Sequence, residues 1–271
     1  MRKLALSDEI LLKVDKAARY IGGEVNSVMK DKSAVDIRFA MCFPDVYEIG
    51  MSNLGMMILY NMFNQREDVW CERLFSPWPD LDKVMREEKI PLFALESQEP
   101  IRDFDFLGIT IGYEMCYTNI LQVLDLSGIP LKSADRGEDF PIVIGGGACA
   151  YNPEPLAPFF DMFYIGEGET VYDALFDAYK ANKKAGGSRK DFLLAAAKIP
   201  GIYVPSLYEV TYKKDGTIAS FAPTADGVPE KVQKQLIIDM EKEYRAVEAP
   251  VVPHIKATQD RVTLEIQRGC I

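Results

Sequence analysis

Val35-Asp36-Ile37-Arg38-Phe39-Ala40-Met41-Cys42-Phe43, closed by Pro44 and followed after a polar loop by Leu54-Gly55-Met56-Met57-Ile58-Leu59-Tyr60-Asn61-Met62-Phe63, is the stretch on which the fold turns. The first half is a short apolar run, the pattern of a strand with both faces covered. The second half brings Leu54, Met57, Ile58, Leu59 and Phe63 round at helical spacing. A methionine stripe at that spacing is core material rather than a cofactor box. The unit recurs: a strand over 69–74 and a helix over 80–88, a strand over 92–95, and a long buried strand over 104–111 before a helix over 117–126. Short strands over 141–144 and 162–165 follow, the second running into a helix over 170–180. This β-α rhythm predicts an α/β fold, a doubly wound, Rossmann-like parallel sheet of roughly five or six strands with covering helices.

Outward from that domain, assigned to residues 34–199, the texture changes. Residues 7–20 open on a Ser7 cap and place Ile10, Leu11, Val14, Ala17 and Ala18 on one helical face, so 1–33 reads as a helical extension packed on the sheet. Past Pro200 the pattern turns to β. Leu207 to Tyr212, a Lys214-Asp215-Gly216-Thr217 turn and Ile218 to Phe221 predict a small hairpin appendage over 200–222. Residues 223–260 hold prolines, charges and one apolar cluster, Leu236-Ile237-Ile238, and read as a linker leaning on the domain. Arg261-Val262-Thr263-Leu264-Glu265-Ile266-Gln267 alternates like a strand and leads into Arg268-Gly269-Cys270-Ile271, so 261–271 reads as the start of another domain.

With 41 acidic against 31 basic residues and a formal charge of -10, the surface repels phosphate backbones, and non-specific nucleic-acid binding is not expected. The amino terminus lacks the apolar run of a signal peptide and no later run reaches spanning length, which predicts no membrane partner and a place in the cytoplasm. Five cysteines at irregular spacing argue against a disulfide framework. Cys42, Cys71, Cys116 and Cys149 sit in apolar surroundings and read as buried structural thiols, whereas Cys270 stands apart. A single histidine, His254, leaves no room for a His-based relay or a His-rich metal site.

Ligands of open parallel sheets bind at the carboxyl ends of the strands, and four loops fall there. The loop after the first strand, from Phe43 to Gly55, is long and polar, with Pro44, Asp45, Gly50 and Ser52 as candidates; the plain alternative is a packed loop with Ser52 capping the next helix. After the strand over 104–111 come Gly112-Tyr113-Glu114-Met115-Cys116-Tyr117-Thr118-Asn119, where Tyr113 and Glu114 could line a planar ligand and Thr118 or Asn119 is a candidate cap. Gly145-Gly146-Gly147 would lose much chain entropy on ordering unless backbone must pass close to something. The last loop is Gly166-Glu167-Gly168-Glu169-Thr170. The triple glycine nominally satisfies the G-x-G-x-x-A dinucleotide fingerprint. It follows a late strand, however, and Pro153 and Pro155 interrupt the helix that the fingerprint needs.

Taken in order, Phe43-Pro44-Asp45-Val46-Tyr47-Glu48-Ile49-Gly50-Met51-Ser52-Asn53-Leu54-Gly55, Glu72-Arg73-Leu74-Phe75-Ser76-Pro77-Trp78, Tyr113-Glu114 with Tyr117-Thr118-Asn119, Gly145-Gly146-Gly147, Asn152-Pro153-Glu154-Pro155 and Gly166-Glu167-Gly168-Glu169 resemble the N-terminal part of B12-binding-domain radical SAM proteins across nearly the whole chain. The resemblance implies a cobalamin-binding-type domain ahead of a radical SAM barrel. It makes Cys270 the first thiolate of a Cys-x3-Cys-x2-Cys set holding a 4Fe-4S cluster that binds S-adenosylmethionine, with the remainder of the barrel and an unknown substrate as partners. Sulfur ligands suit iron, and an iron left open lets the cosubstrate chelate it. One thiolate cannot hold such a cluster, so this segment alone is not expected to be catalytic. Under the resemblance, cobalamin would contact Pro44, Asp45, Gly50, Ser52, Tyr113, Glu114, Gly145, Gly146, Gly147, Gly166, Glu167 and Gly168, without the axial histidine of an Asp-x-His-x-x-Gly motif. Two alternatives stay open: a degenerate Rossmann module that docks substrate or a partner protein without cobalamin, and a dinucleotide-binding domain.

Overall fold

Along Ile37–Phe43 the side chains of Phe39, Met41 and Phe43 enter one apolar cluster while Ala40 and Cys42 enter another on the opposite face. A strand buried on both faces needs cover on both, and the fold is the answer to that requirement. The computed structural model describes residues 3–243 and 246–268. Its strands are β1 Ile37–Phe43, β2 Val69–Phe75, β3 Phe106–Thr110, β4 Ile142–Gly146, β5 Met162–Tyr164, β6 Ile202–Tyr203, β7 Tyr208–Tyr212 and β8 Ile218–Pro223. Its helices are α1 Asp8–Leu11, α2 Tyr47–Gly50, α3 Leu54–Gln65, α4 Pro79–Glu88, α5 Tyr117–Leu126, α6 Tyr172–Lys184, α7 Arg189–Ala196 and α8 Met240–Glu243.

A six-stranded sheet runs in the order β2-β1-β3-β4-β5-β6, parallel except for β6, and β7 and β8 form a separate antiparallel pair. The protein is thus a mixed α/β structure with a mostly parallel main sheet, as the β-α rhythm predicts. One face is covered by α3, α6 and α7, through Met56, Tyr60, Phe63, Phe176 and Phe192; the other is covered by α4 and α5, through Leu81, Met85, Ile120 and Leu124. Phe39 lies at the centre of the first face, 5.0 Å from the Phe63 ring and 5.8 Å from Phe106. Gly108 makes room for it, since a Cβ there would stand 2.3 Å from Phe39 Cζ.

Local chemistry sets the helix ends. The Asn53 side chain accepts from Met56 N and starts α3, Pro79 sits in the first turn of α4, and Ser188 with Asp191 forms a capping box on α7. The caps expected at Ser52, Thr118 or Asn119 are corrected. Asn53 takes the first position, and α5 grows out of a 3-10 turn without a side-chain cap while Asn119 Nδ2 donates to Pro44 O at 3.0 Å.

Other elements depart from their patterns for tertiary reasons. The helix expected over 7–20 stops at Leu11; Lys16 takes φ 53 and a 3-10 turn follows over Ala17–Arg19. Asp15 N donates to Asp80 Oδ2 and Arg19 is drawn into a buried pair with Glu48, and these contacts outweigh further helical turns. Residues 92–95 are buried but form no strand: Gln98, at φ 65, folds the chain so that Ala94 N meets Glu99 O and Ile101 N meets Leu92 O. Ile202–Tyr203, grouped with the appendage by texture, adds an antiparallel edge to the main sheet instead. The strand expected over 261–267 is absent among the described residues. Val262, Leu264 and Ile266 remain 86, 76 and 89% exposed, because alternation without a neighbouring edge forms no ladder.

The N-terminal arm is tied to the sheet by charge. Arg73, fully buried in β2, donates to Glu24 Oε2 at 2.7 Å and to Glu96 Oε1 at 2.6 Å, with Tyr47 OH on Glu24 and Tyr60 OH on Glu96. Burial alone would raise the Glu24 carboxyl, but the Arg73 guanidinium outweighs it and holds the group below its ordinary value. On the surface, hydrogen bonds from Arg66 and then Lys180 hold Asp68 far below the carboxylate range. Both groups have folded-state values below their unfolded ones, so their stabilisation is complete above about pH 4 and is lost as pH falls through the folded values. Glu72, pushed up by burial, works in the opposite sense. Melting temperature at constant ionic strength should therefore fall as pH drops below about 4, and Asp68→Asn should flatten that slope. An unchanged slope in the variant would remove Asp68 from the account.

Candidate functional site

The chain lays β2 on one side of β1 and β3 on the other, so the winding direction reverses between β1 and β3 and their carboxyl-end loops part. On the α3 and α6 face of that edge lies a cavity of about 430 Å³. Phe39, Met41 and Ile144 form its floor, Leu59 and Tyr172 wall it, and its rim carries Asn53, Gly146, Glu167, Glu169, Glu265 and Arg268. That volume lies at the low end of small-molecule sites, which run from roughly 300 to 1,000 Å³.

The triple glycine at the end of β4 serves three separate needs. A Cβ on Gly145 would come within 2.8 Å of both Ile111 Cδ1 and Phe163 Cδ1, so this position is glycine for packing below the sheet. Gly147 has φ +102, and a Cβ there would stand 2.9 Å from Ile111 O. That conformation brings Cys149 N to Ile111 O at 2.9 Å and joins the two loops. Gly146 opens on the cavity and is the one of the three with no atom within 4 Å of its Cβ position.

The last loop is built as a platform. Gly166 has φ +139, and a Cβ would collide with Gln235 O at 2.3 Å, because residues 233–237 run alongside. Gln235 N donates to Ile165 O at 3.1 Å and Glu167 N to Gln235 O at 3.0 Å. Gly168 lies against Leu59 of α3, whose Cδ2 would be 2.8 Å from an added Cβ. The carboxylates of this turn are engaged by the chain itself: Ile237 N donates to Glu167, and Arg268 Nη2 donates to Glu169 and, at 2.7 Å, to Glu265. The hydrogen bond it donates to Glu265, followed by that to Glu169, raises the Arg268 guanidinium further above its ordinary value, so it is charged at any working pH.

Of the residues singled out in the sequence, Gly146, Gly147, Gly166, Glu167 and Gly168 line the cavity. The others stand elsewhere. Pro44 O accepts from Asn119, Gly50 is glycine because a Cβ would enter the Phe75 ring, and Ser52 Oγ donates to Glu48 O at 2.8 Å. Tyr113 donates to Asp45 above the β1 and β3 ends, and that carboxylate raises the phenol to about 12. Glu114 opens the neighbouring 3-10 turn, and Gly145 faces the opposite core. Asn53, Glu169 and Arg268 are rim residues that sequence reasoning missed as site residues; an Asn directly before a helical apolar run was the available signal for the first.

The described cysteines 42, 71, 116 and 149 are unpaired, and burial pushes the thiol of each above its ordinary value. No group of three or more His, Cys, Asp or Glu among the described residues is arranged to hold a metal ion, and Cys270 lies outside those residues. These residues therefore do not fit an iron-sulfur cluster by themselves. His254 faces away from the cavity, with Nε2 3.1 Å from Gly22 O and its N–H on Tyr47 OH. Only 3-10 turns follow Gly147, so no α-helix opens there to hold a pyrophosphate. No helix among the described residues is long and apolar enough to cross a membrane.

Comparison with known proteins bears on this architecture. An uncharacterized protein of Methanocaldococcus jannaschii is 26% identical over 131 residues, which is 48% of this chain and 24% of that protein. The chain thus spans about a quarter of that relative's length. No solved structure matches. The family model for radical SAM proteins, N-terminal, matches residues 55–205, from the first turn of α3 past β6, and so takes in part of the cavity's floor, its glycine edge and its Gly-Glu-Gly-Glu rim. That match covers more than half of the chain, and the protein belongs to the radical SAM N-terminal family.

Proposed function

We propose that this chain is the ligand-holding front domain of a radical SAM enzyme, with the cavity receiving the nucleotide tail of a cobalamin. The observation that carries the reading is Gly146, a glycine at the end of a central strand whose Cβ position looks onto an apolar-floored cavity and touches nothing. A flat aromatic base with its sugar suits about 430 Å³, whereas the corrin ring exceeds it and would lie outside the cavity. Gly146 would let the tail approach the backbone, Leu59 and Tyr172 would flank it, and Asn53 would offer a polar contact beside the α3 amino end. The described residues present no imidazole to the cobalt, since His254 is committed to Gly22 O. Bound cobalamin would supply a methyl carrier. The 4Fe-4S cluster and S-adenosylmethionine, with Cys270 as first thiolate, belong to the longer protein. There the barrel and a substrate would be the partners of this domain.

A second reading has its own support. Three carboxylates, Glu167, Glu169 and Glu265, face one guanidinium at the rim, an excess of negative charge that disfavours a phosphate-bearing tail. On that reading the module docks substrate or a partner protein without cobalamin. Titration with hydroxocobalamin separates the two. Stoichiometric retention through gel filtration with a shifted visible spectrum is the expected result, and no retention at high concentration leaves only the docking module.

A further inference from the structure

We infer that Glu167 and Glu169 are positioning residues: the Gly-Glu-Gly-Glu turn grips Arg268 and so holds the segment 265–268 across the rim of the cavity. The inference goes beyond the cobalamin reading and stands whatever the cavity binds. It begins from what the segment lacks. Residues 262–268 form no ladder, and Val262, Leu264 and Ile266 are exposed, so neither backbone pairing nor apolar burial holds this stretch in place. What holds it is the far end of one side chain. Arg268 bonds Glu169, bonds Glu265 at 2.7 Å and lies 3.8 Å from Glu167. Isolated exposed ion pairs contribute little, but this one is a shared cluster in which the Glu169 side chain is 7% exposed and that of Arg268 is 18% exposed.

The turn that does the gripping is stiff. Gly168 rests against Leu59, Gly166 lies against Gln235, and Glu167 holds the backbone of Ile237 as well. One turn thereby fastens two stretches of the chain that follow the sheet, 235–237 and 265–268, to the carboxyl edge of β5. The same grip means that the carboxylates of this turn are occupied by the chain rather than offered to a ligand.

Limited trypsin digestion of the intact chain, followed by mass spectrometry at the Arg261–Val262 bond, tests the grip. The bond after Lys214, in the exposed hairpin turn, serves as the internal reference. Glu169→Gln and Arg268→Glu should each raise the Arg261 cleavage rate about tenfold by freeing the segment, with the Lys214 rate unchanged. The exchanged pair, Glu169→Arg with Arg268→Glu, should return the rate to within about twofold of the parent, because the opposite charges meet again. Unchanged cleavage in the single variants overturns the inference. So does a rise matched at Lys214, which would mean general loosening, or failure of the exchanged pair to restore the rate.

Discussion

Arg73→Met should destabilise the protein by about 3–5 kcal/mol, measured as a shift in chemical denaturation at neutral pH, although methionine nearly fills the same space. The reason is what remains behind. Glu24 and Glu96 have fully buried side chains and both lean on the one guanidinium, so its removal strands two carboxylates in the interior. They must then take up protons or draw in water, and either path is costly. An uncharged triple variant, Arg73→Met with Glu24→Gln and Glu96→Gln, should recover most of the loss, since replacing an entire buried ion cluster is often neutral. A loss below about 1 kcal/mol in the single variant would show that the N-terminal arm is held mainly by its other contacts, such as Asn26 Nδ2 on Pro250 O.

Gly146→Leu should weaken ligand retention while leaving the fold intact. A leucine at this position projects into empty cavity, where no atom lies within 4 Å of its Cβ, so it consumes the space a ligand would use without straining its neighbours. Retention of hydroxocobalamin is expected to weaken at least about tenfold, equivalent to roughly 1.4 kcal/mol, with little change in melting temperature. Gly145→Leu, one residue away, should do the reverse. Its Cβ would press on Ile111 and Phe163 at 2.8 Å, and overpacking of that kind costs about 1–3 kcal/mol of stability. If Gly146→Leu retains hydroxocobalamin as tightly as the parent, the ligand does not sit in this cavity.

The contrast between these neighbouring glycines shows how much of the site was legible in advance. Three glycines after a buried strand announce that backbone passes close to something, and they do mark a cavity edge. Which of them faces a ligand, which faces Phe163 and which bends the chain toward Ile111 depends on side chains far away in sequence. The first loop misled for the same reason. Gly50 and Ser52 have the composition of a ligand loop, yet Phe75 and Glu48 occupy the space around them.

Period was enough for the five parallel strands of the sheet and its main helices, because a strand covered on both faces and a helix with one apolar stripe write themselves into consecutive residues. The order of loops and glycines was likewise enough for the radical SAM resemblance. Tertiary structure alone decided that residues 12–20 abandon their helix for Asp80 and Glu48, that β6 runs against β5, and that an alternating segment at 261–267 stays unpaired. It also decided that Glu169 meets Arg268, 99 residues away. Local pattern reports the turn-by-turn preferences of neighbouring residues, whereas these outcomes depend on which distant group arrives to compete for the same hydrogen bond, charge or space.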